Sequence, residues 1–174
     1  MDRATVRRHV GKAIAGLAVA ALLISPAADA TAKQESIVSG AWMETLGAAT
    51  DADSKSSMVQ VRLTLEPGAR LRGHDHPGSA IITVESGVLE TELIRGTGAV
   101  HRGADDLIEV VSAGSGGKVM LHEGDSISYE QNCGKTMANA GEEPLVMIMS
   151  LLVSDGQPLF SFDAPPPSYN PTLQ

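Results

Sequence analysis

The sequence predicts an all-β protein in which a single barrel or sandwich domain follows a short N-terminal export segment. Short runs of alternating apolar and polar residues recur along the chain, and turns rich in glycine and proline separate them. After residue 30, no stretch shows the apolar period of an amphipathic helix. Runs of this kind at this spacing are typical of antiparallel sandwiches and barrels.

The first thirty residues form a predicted signal peptide. The first twelve residues include four Lys and Arg, an unbroken apolar run follows over 13–24, and Ala-Asp-Ala stands at 28–30. An uncleaved membrane anchor is the alternative interpretation. The twelve apolar residues would rise only ~18 Å as a helix, whereas the hydrocarbon core of a membrane is ~30 Å thick. We therefore expect cleavage after Ala30, a periplasmic or secreted protein, and no stable membrane span after cleavage.

The export route has two interpretations. The pair Arg7-Arg8, with Val10 and Lys12 after it, resembles a twin-arginine signal, which carries proteins that are already folded. An ordinary Sec-type signal peptide with a chance arginine pair is the alternative. The twin-arginine interpretation would allow a cofactor to be loaded before export.

The predicted mature chain is acidic and of a size typical of one domain. The signal peptide contains four of the 13 Lys and Arg and two of the 21 Asp and Glu, which leaves nine cations, nineteen anions and a net charge of −10. Nucleic acids and anionic lipid surfaces are poor partners for such a protein. Cys133 is the only cysteine, so no intramolecular disulfide can form.

The first strands of the barrel are predicted between residues 58 and 94. Alternation over Met58 to Leu65 places four apolar side chains on one face of a strand. Pro67-Gly68 ends that strand, and Ala80 to Val84 forms the next. A turn at Ser86-Gly87 then leads into a strand over Val88 to Ile94, so these two strands form a hairpin.

The second half of the chain is predicted as a long loop followed by further strands. Gly96 to Gly117 is rich in glycine and is expected to be a loop that carries one short strand. Three strands follow, over Val119 to Leu121, Ile127 to Tyr129 and Leu145 to Val153.

The last of these strands is nearly all apolar, which predicts burial on both faces. Its methionines, Met147 and Met149, are expected to fill the core rather than bind a metal. Residues 158–174 contain three consecutive prolines and no apolar period, so they are expected to form a tail. The predicted domain is thus 31–157, with its core over 58–153.

Two histidines stand out as candidate site residues. His74 and His76 occupy alternate positions on a probable strand, so their imidazoles should project from the same face. Such a pair can share one zinc, iron, nickel, copper or manganese ion, but a stable site normally needs at least a third ligand.

The surroundings of the pair resemble the two sequence motifs of the cupin family. Gly68, His74, His76 and Gly87 have the spacing of the first motif. The second motif opens at Gly124-Asp125 and closes at Asn139, and a turn over 141–144 leads into the last strand. This resemblance covers most of the mature chain and implies a jelly-roll barrel, the double-stranded β-helix, with a pocket inside it. It also implies a homodimer.

Two ligand positions depart from the family pattern. The metal-binding glutamate of the first motif is replaced by Ala80, which has no donor atom, and the histidine of the second motif is replaced by Lys135. A protonated lysine has no lone pair and repels a metal ion. The turn before Lys135 also has Glu130 and Asn132 where the family has proline and glycine, although asparagine tolerates a left-handed backbone better than most residues.

Three interpretations of a pocket lined by His74, His76, Ala80 and Lys135 follow. In the first, it holds no metal, and Lys135 beside the histidines binds a small anionic or hydroxylated molecule. In the second, the histidines hold a divalent metal with water or with an unforeseen ligand, for which the candidates are His122, Glu85 and Glu130. Alternation directs His122 away from the interior. In the third, the histidines are structural and bind nothing.

The resemblance leaves the activity open, because cupins support many chemistries and some have none. The first expectation is an exported cupin that binds a small molecule. The sequence is equally compatible with a pocket that holds no metal and with one that holds a divalent metal. The alternative is a metal-dependent cupin enzyme, such as a quercetinase-like dioxygenase, an oxidoreductase or an isomerase. No nucleophile elbow, phosphate-binding loop or CxxC motif occurs in the chain, so no other motif in the sequence indicates a catalytic site.

Overall fold

The computed structural model describes residues 34–163, except for residues 52, 54, 104–106, 115–117 and 155. The predicted signal peptide and residues 164–174 of the predicted tail lie outside the described residues. Within the described part, no helix is long and apolar enough to span a membrane.

The described residues form strands joined by turns. In chain order the strands are β1 Gln34–Val38, β2 Ala41–Asp51, β3 Ser56–Leu65, β4 Arg70–Asp75, β5 Ala80–Ser86, β6 Leu89–Arg95, β7 Thr97–Arg102, β8 Leu107–Ser112, β9 Lys118–Leu121, β10 Ser126–Tyr129, β11 Gly134–Asn139, β12 Leu145–Ser154 and β13 Ser161–Phe162.

The strands form two antiparallel sheets, which confirms the predicted all-β jelly roll. The larger sheet has the order β1-β2-β3-β12-β5-β10-β7-β8, and the smaller has the order β13-β4-β11-β6-β9. Neighbouring strands in the sheets are often distant in the sequence; β12, for example, lies between β3 and β5. The inner faces of both sheets contribute to one hydrophobic core.

The alternation that predicted β3 is confirmed, because Val61, Leu63 and Leu65 are buried and the residues between them are partly exposed. The prediction for β12 is wrong in one respect. Its odd-numbered residues from Leu145 to Val153 are buried, but the even-numbered residues are partly or fully exposed. This strand is central in its sheet and covers the core with one face only.

Several strands escaped the sequence prediction. The long loop expected over 96–117 contains two paired strands, β7 and β8, rather than one. The strands β1, β2, β11 and β13 were not predicted either. In β11 the residues are mixed in polarity, and five of the six are nevertheless buried because the strand lies between β4 and β6.

The pairing of β4 with β11 positions the candidate site. Lys135 on β11 lies directly opposite His74 on β4. The turn before β11 takes the expected left-handed backbone at Asn132, where φ is 59°. At the end of β11 the buried Asn139 side chain donates hydrogen bonds to the carbonyls of Leu65 and Glu143 at 2.9 and 2.8 Å, which joins the two sheets at this point.

Candidate functional site

The two histidines lie inside the barrel, side by side. His74 is near the end of β4 and His76 follows just after it, and each side chain is 3% exposed. Their ring centroids are 5.5 Å apart in an edge-to-face arrangement. The sequence prediction that both imidazoles project from the same side of the strand is therefore confirmed.

Backbone carbonyls fix the tautomer of both imidazoles. Nδ1 of His74 lies 2.8 Å from the carbonyl oxygen of Arg72, and Nδ1 of His76 lies 2.7 Å from that of Leu159. A carbonyl oxygen only accepts hydrogen bonds, so each Nδ1 donates and each Nε2 carries the lone pair. Nε2 of His76 is buried and has no hydrogen-bond partner among the described residues.

Burial keeps both histidines neutral. It lowers the pKa of His74 to about 3, and the charge of Lys135 acts in the same direction. The pKa of His76 is lowered well below 6.5, first by burial and then by the charges of Lys135 and His74. At neutral pH each Nε2 is therefore a hydrogen-bond acceptor or a metal ligand, and not a proton donor.

Lys135 is fully buried, and its backbone lies opposite that of His74. Its Nζ donates a long hydrogen bond of 3.4 Å to the carbonyl of Cys133 and lies 4.6 Å from the centroid of the Tyr129 ring. Burial lowers the pKa of Lys135 to about 8, because these contacts replace only part of the hydration that an ammonium loses. Lys135 therefore remains a cation at neutral pH.

The predicted pocket lining needs correction. The histidines line a small cavity of about 10 Å³, but neither Ala80 nor Lys135 lines it. Ala80 is buried in β5, where its backbone pairs with Tyr129 and Leu151, and it borders a separate cleft on the outside of the larger sheet. The cavity is lined by Ile37, Leu63, Leu71, His74, His76, Met137, Met149, Phe160 and Phe162.

The cavity is too small for an organic ligand. A volume of about 10 Å³ accommodates roughly one water-sized species, whereas ligand pockets in proteins usually measure about 300–1,000 Å³. A molecule larger than a few atoms can reach the histidines only if a neighbouring group moves.

The beginning of the predicted tail covers the histidines. Ser161 and Phe162 pair with Asp75 and His74 as the short strand β13, and the Phe162 ring lies 5.9 Å from the His74 ring. Phe160 is buried, and its ring lies 5.4 Å from that of Phe162. We call residues 159–163 the C-terminal cover.

The sequence prediction missed this cover, although a signal for it exists. Leu159, Phe160 and Phe162 form a short apolar run, and the chain has no phenylalanine elsewhere. Residues of that size are rarely left in a solvated tail, so their clustering indicates a docking segment.

The described residues do not fit the divalent metal site of the family pattern. They contain no group of three or more His, Cys, Asp or Glu side chains that could hold a metal ion. Of the candidate third ligands, His122 is exposed as predicted, Glu130 is exposed, and Glu85 forms an ion pair of 3.4 Å with Arg62. The nearby ammonium of Lys135 also opposes a divalent cation.

Comparison with known proteins gave one family match and several structural likenesses. The family model described as Cupin domain matches residues 61–151. The structure of KdgF from Halomonas sp. has a TM-score of 0.51 at 16% identity, over 74% of this chain and 93% of that one. This likeness supports the fold alone. No curated protein matched the sequence.

Two further structures were similar at lower TM-scores. An RmlC-like cupin from Shewanella frigidimarina has a TM-score of 0.47 at 17% identity, over 72% of this chain and 87% of that chain. Oxalate decarboxylase from Bacillus subtilis has a TM-score of 0.48 at 20% identity over 71% of this chain. The match spans only 28% of the length of the decarboxylase.

Proposed function

The chain belongs to the cupin family, and on this premise we propose that it is an exported protein that binds a small hydroxyl-bearing molecule at His76. The signal-peptide features of residues 1–30 support the export part of the proposal. Mass spectrometry of the protein recovered from the periplasm or medium should show a chain that begins at Thr31. A chain that still carries residues 1–30 would contradict export with cleavage.

One observation carries the binding part of the proposal. Nε2 of His76 is a buried acceptor that has no partner among the described residues, and its Nδ1 is already committed to the Leu159 carbonyl. A buried polar atom without a partner costs about 1–3 kcal/mol, which a ligand that donates a hydrogen bond would recover.

The protonation of His76 narrows the ligand class. A fully ionised carboxylate or phosphate has no proton to donate to a neutral Nε2, and the two lone pairs would repel each other. An alcohol or phenol has such a proton. Of the two classes expected from the sequence, anionic and hydroxylated, the site therefore favours the hydroxylated one.

The C-terminal cover indicates the rest of the ligand. Entry requires displacement of residues 160–163 of the cover, which are held to β4 by the short strand β13 and by a hydrogen bond of 2.9 Å from the Asp163 amide to the Gly73 carbonyl, while Leu159 keeps its hydrogen bond to His76. The departure of residues 160–163 would free the volume of two phenyl rings beside the histidines, those of Phe160 and Phe162. A phenolic compound matches that volume and supplies the hydroxyl group.

The experiment compares phenol with two close analogues. Binding to the folded state raises stability by about 2.7 kcal/mol when the ligand is present at a hundred times its Kd. We expect phenol to raise the melting temperature of the protein and anisole, which lacks the O–H donor, to have no measurable effect. Benzoate should also have none. His76→Ala should abolish the phenol effect, whereas His122→Ala, at an exposed histidine, should leave it unchanged.

Each part of the proposal has a result that would contradict it. Equal shifts with phenol and anisole would show that the hydroxyl group is not recognised. A stronger effect of benzoate would restore the anionic class, and a phenol effect that survives in His76→Ala would exclude His76 as its partner. Calorimetry at 25 °C on the same variants measures binding without relying on the melting transition.

The described residues give no support to the metal-dependent enzyme that the sequence left as the alternative. A dioxygenase, oxidoreductase or isomerase of that kind would need a divalent ion, and the described residues offer it two imidazoles and a neighbouring cation.

A further inference from the structure

The cavity beside the histidines contains two more donor atoms. The thioether side chains of Met137 and Met149 line the same cavity as His74 and His76. Met137 lies on β11 of the smaller sheet and Met149 on β12 of the larger one, so the methionines come from both walls of the barrel. Both are 1% exposed.

We infer that this cavity is a binding site for a soft monovalent cation of the Cu(I) or Ag(I) class, with His74, His76, Met137 and Met149 as its ligands. Thioether sulfur is a soft ligand that selects Cu(I), and neutral imidazole nitrogen also binds copper. Because none of the four ligands is charged, binding of a monovalent ion leaves a net charge of +1 in the site.

The charge of Lys135 favours a monovalent ion over a divalent one. Lys135 is fully buried directly opposite His74 in the pairing of β4 with β11, so it is close enough to repel a bound cation. That repulsion is proportional to the charge of the ion and is therefore twice as large for zinc or iron(II). Among the described residues, no carboxylate lines the cavity to offset it.

The histidines are oriented as metal-binding histidines usually are. Each donates its Nδ1–H to a backbone carbonyl. This hydrogen bond fixes the orientation of the ring and leaves the lone pair of Nε2 available to a metal ion. The other side chains that line the cavity are apolar, namely Ile37, Leu63, Leu71, Phe160 and Phe162. An apolar surrounding suits a weakly hydrated ion of low charge.

The inference goes beyond the proposed function and does not depend on it. The ion would occupy the cavity as it stands, with the C-terminal cover in place, because its volume of about 10 Å³ suits a single atom. The phenolic ligand instead requires displacement of the cover. Failure of phenol to bind would therefore not contradict the cation site. Failure of Ag(I) to bind would likewise not contradict the binding of phenol.

The chain offers a matched control for the two methionines. Met147 is fully buried on the same face of β12 as Met149, but it does not line the cavity. Replacement of methionine by leucine conserves volume and usually costs less than about 1.5 kcal/mol. The variants Met137→Leu, Met149→Leu and Met147→Leu should therefore all fold, which circular dichroism and a melting curve will verify.

The experiment is a titration of the purified protein with Ag(I), a redox-stable probe, in competition with a ligand of known affinity. Cys133 is a stronger soft ligand than any thioether, so the titration is repeated with Cys133→Ser. We expect one Ag(I) per chain in Cys133→Ser, in which the thiol cannot contribute, and the methionine variants are compared in that background. Met137→Leu and Met149→Leu should each weaken binding by at least about tenfold, and Met147→Leu by less than about twofold.

Two further measurements locate the ion and test its charge. On binding, the ¹³C methyl signals of Met137 and Met149 should shift, and that of Met147 should not. Lys135→Met should strengthen Ag(I) binding because it removes the repelling charge. Zn(II) should not bind at this site in the parent.

Three results would overturn the inference. Loss of Ag(I) binding in Cys133→Ser would place the ion on the thiol. Unchanged affinity in both cavity variants would exclude the methionines as ligands. Tighter binding of Zn(II) than of Ag(I) would show that the site prefers divalent ions despite Lys135.

Discussion

Replacement of Lys135 by methionine should stabilise the protein at neutral pH. Lys135 is fully buried, and among the described residues its ammonium has a single long hydrogen bond and one aromatic ring as replacements for water. Methionine has a similar length, carries no charge and packs well in irregular space. Removal of an incompletely compensated buried charge is often stabilising.

The expected magnitude follows from the pKa. Burial lowers the pKa of Lys135 from 10.5 to about 8, and each pKa unit corresponds to about 1.4 kcal/mol. The charged form therefore costs the folded state about 3 kcal/mol. Below pH 8 both the folded and the unfolded chain carry the proton, so the full cost is present. Between pH 8 and 10.5 the folded state loses the proton first, and the stability of the parent rises with pH.

Urea denaturation, followed by the fluorescence of Trp42, the only tryptophan, measures the effect. Burial raises the pKa of Cys133, so ionisation of the unfolded thiol lowers stability above pH 9. Both proteins are therefore compared in a Cys133→Ser background. At pH 7, Lys135→Met should raise the free energy of unfolding by about 3 kcal/mol. From pH 7 to 9, the parent should gain about 1 kcal/mol relative to the variant.

Equal stability of parent and variant at pH 7 would refute the claim that the ammonium is poorly compensated. A difference between them that does not change from pH 7 to 9 would refute the lowered pKa.

The remaining predictions concern a lower pH and two glycine-to-alanine substitutions. Burial lowers the pKa of His74 to about 3, so below pH 6.5 this histidine is protonated in the unfolded chain but not in the folded one. The free energy of unfolding should therefore fall by about 2 kcal/mol at pH 5, and His76 acts in the same direction. Urea midpoints that do not change between pH 7 and 5 would contradict this. A methyl group at Gly78 would overlap the Leu152 carbonyl oxygen, so Gly78→Ala should cost about 3 kcal/mol or more in thermal unfolding. Gly47→Ala, where nothing lies within 4 Å of the new methyl group, should cost less than about 1 kcal/mol, and equal losses at the two positions would exclude the steric cause.

The sequence predicted the fold well where local pattern and turn chemistry agree. Alternation over Met58 to Leu65 predicted β3, and the turn at Ser86-Gly87 correctly separates β5 from β6. The predicted hairpin of these two strands is wrong, because β5 pairs with β10 and β12 in the larger sheet and β6 pairs with β9 and β11 in the smaller one. Gly87 indeed has a positive φ of 85°. The prediction failed where burial comes from neighbouring strands. In β11 the buried residues include a lysine and an asparagine, and no local pattern of hydrophobicity identifies such a strand.

The candidate site was predicted in part. The spacing of His74 and His76 within the cupin motifs identified the pair and the cation at Lys135 beside it. Their protonation states could not be predicted, because they depend on burial and on the carbonyls of Arg72 and Leu159. The second of these carbonyls is 83 residues away from its histidine in the chain.

The sequence by itself thus determined the barrel, its family and the loss of the usual glutamate and histidine ligands, because periodicity and motif spacing are properties of the chain order. Only the tertiary structure decided that the C-terminal cover closes the barrel and that two methionines face the histidines. Met149 and Met147 are equivalent in the alternation of β12, and only the packing of the opposite sheet places one of them at the cavity. The identity of a site depends on which side chains meet across the core, and this is fixed by contacts between distant parts of the chain.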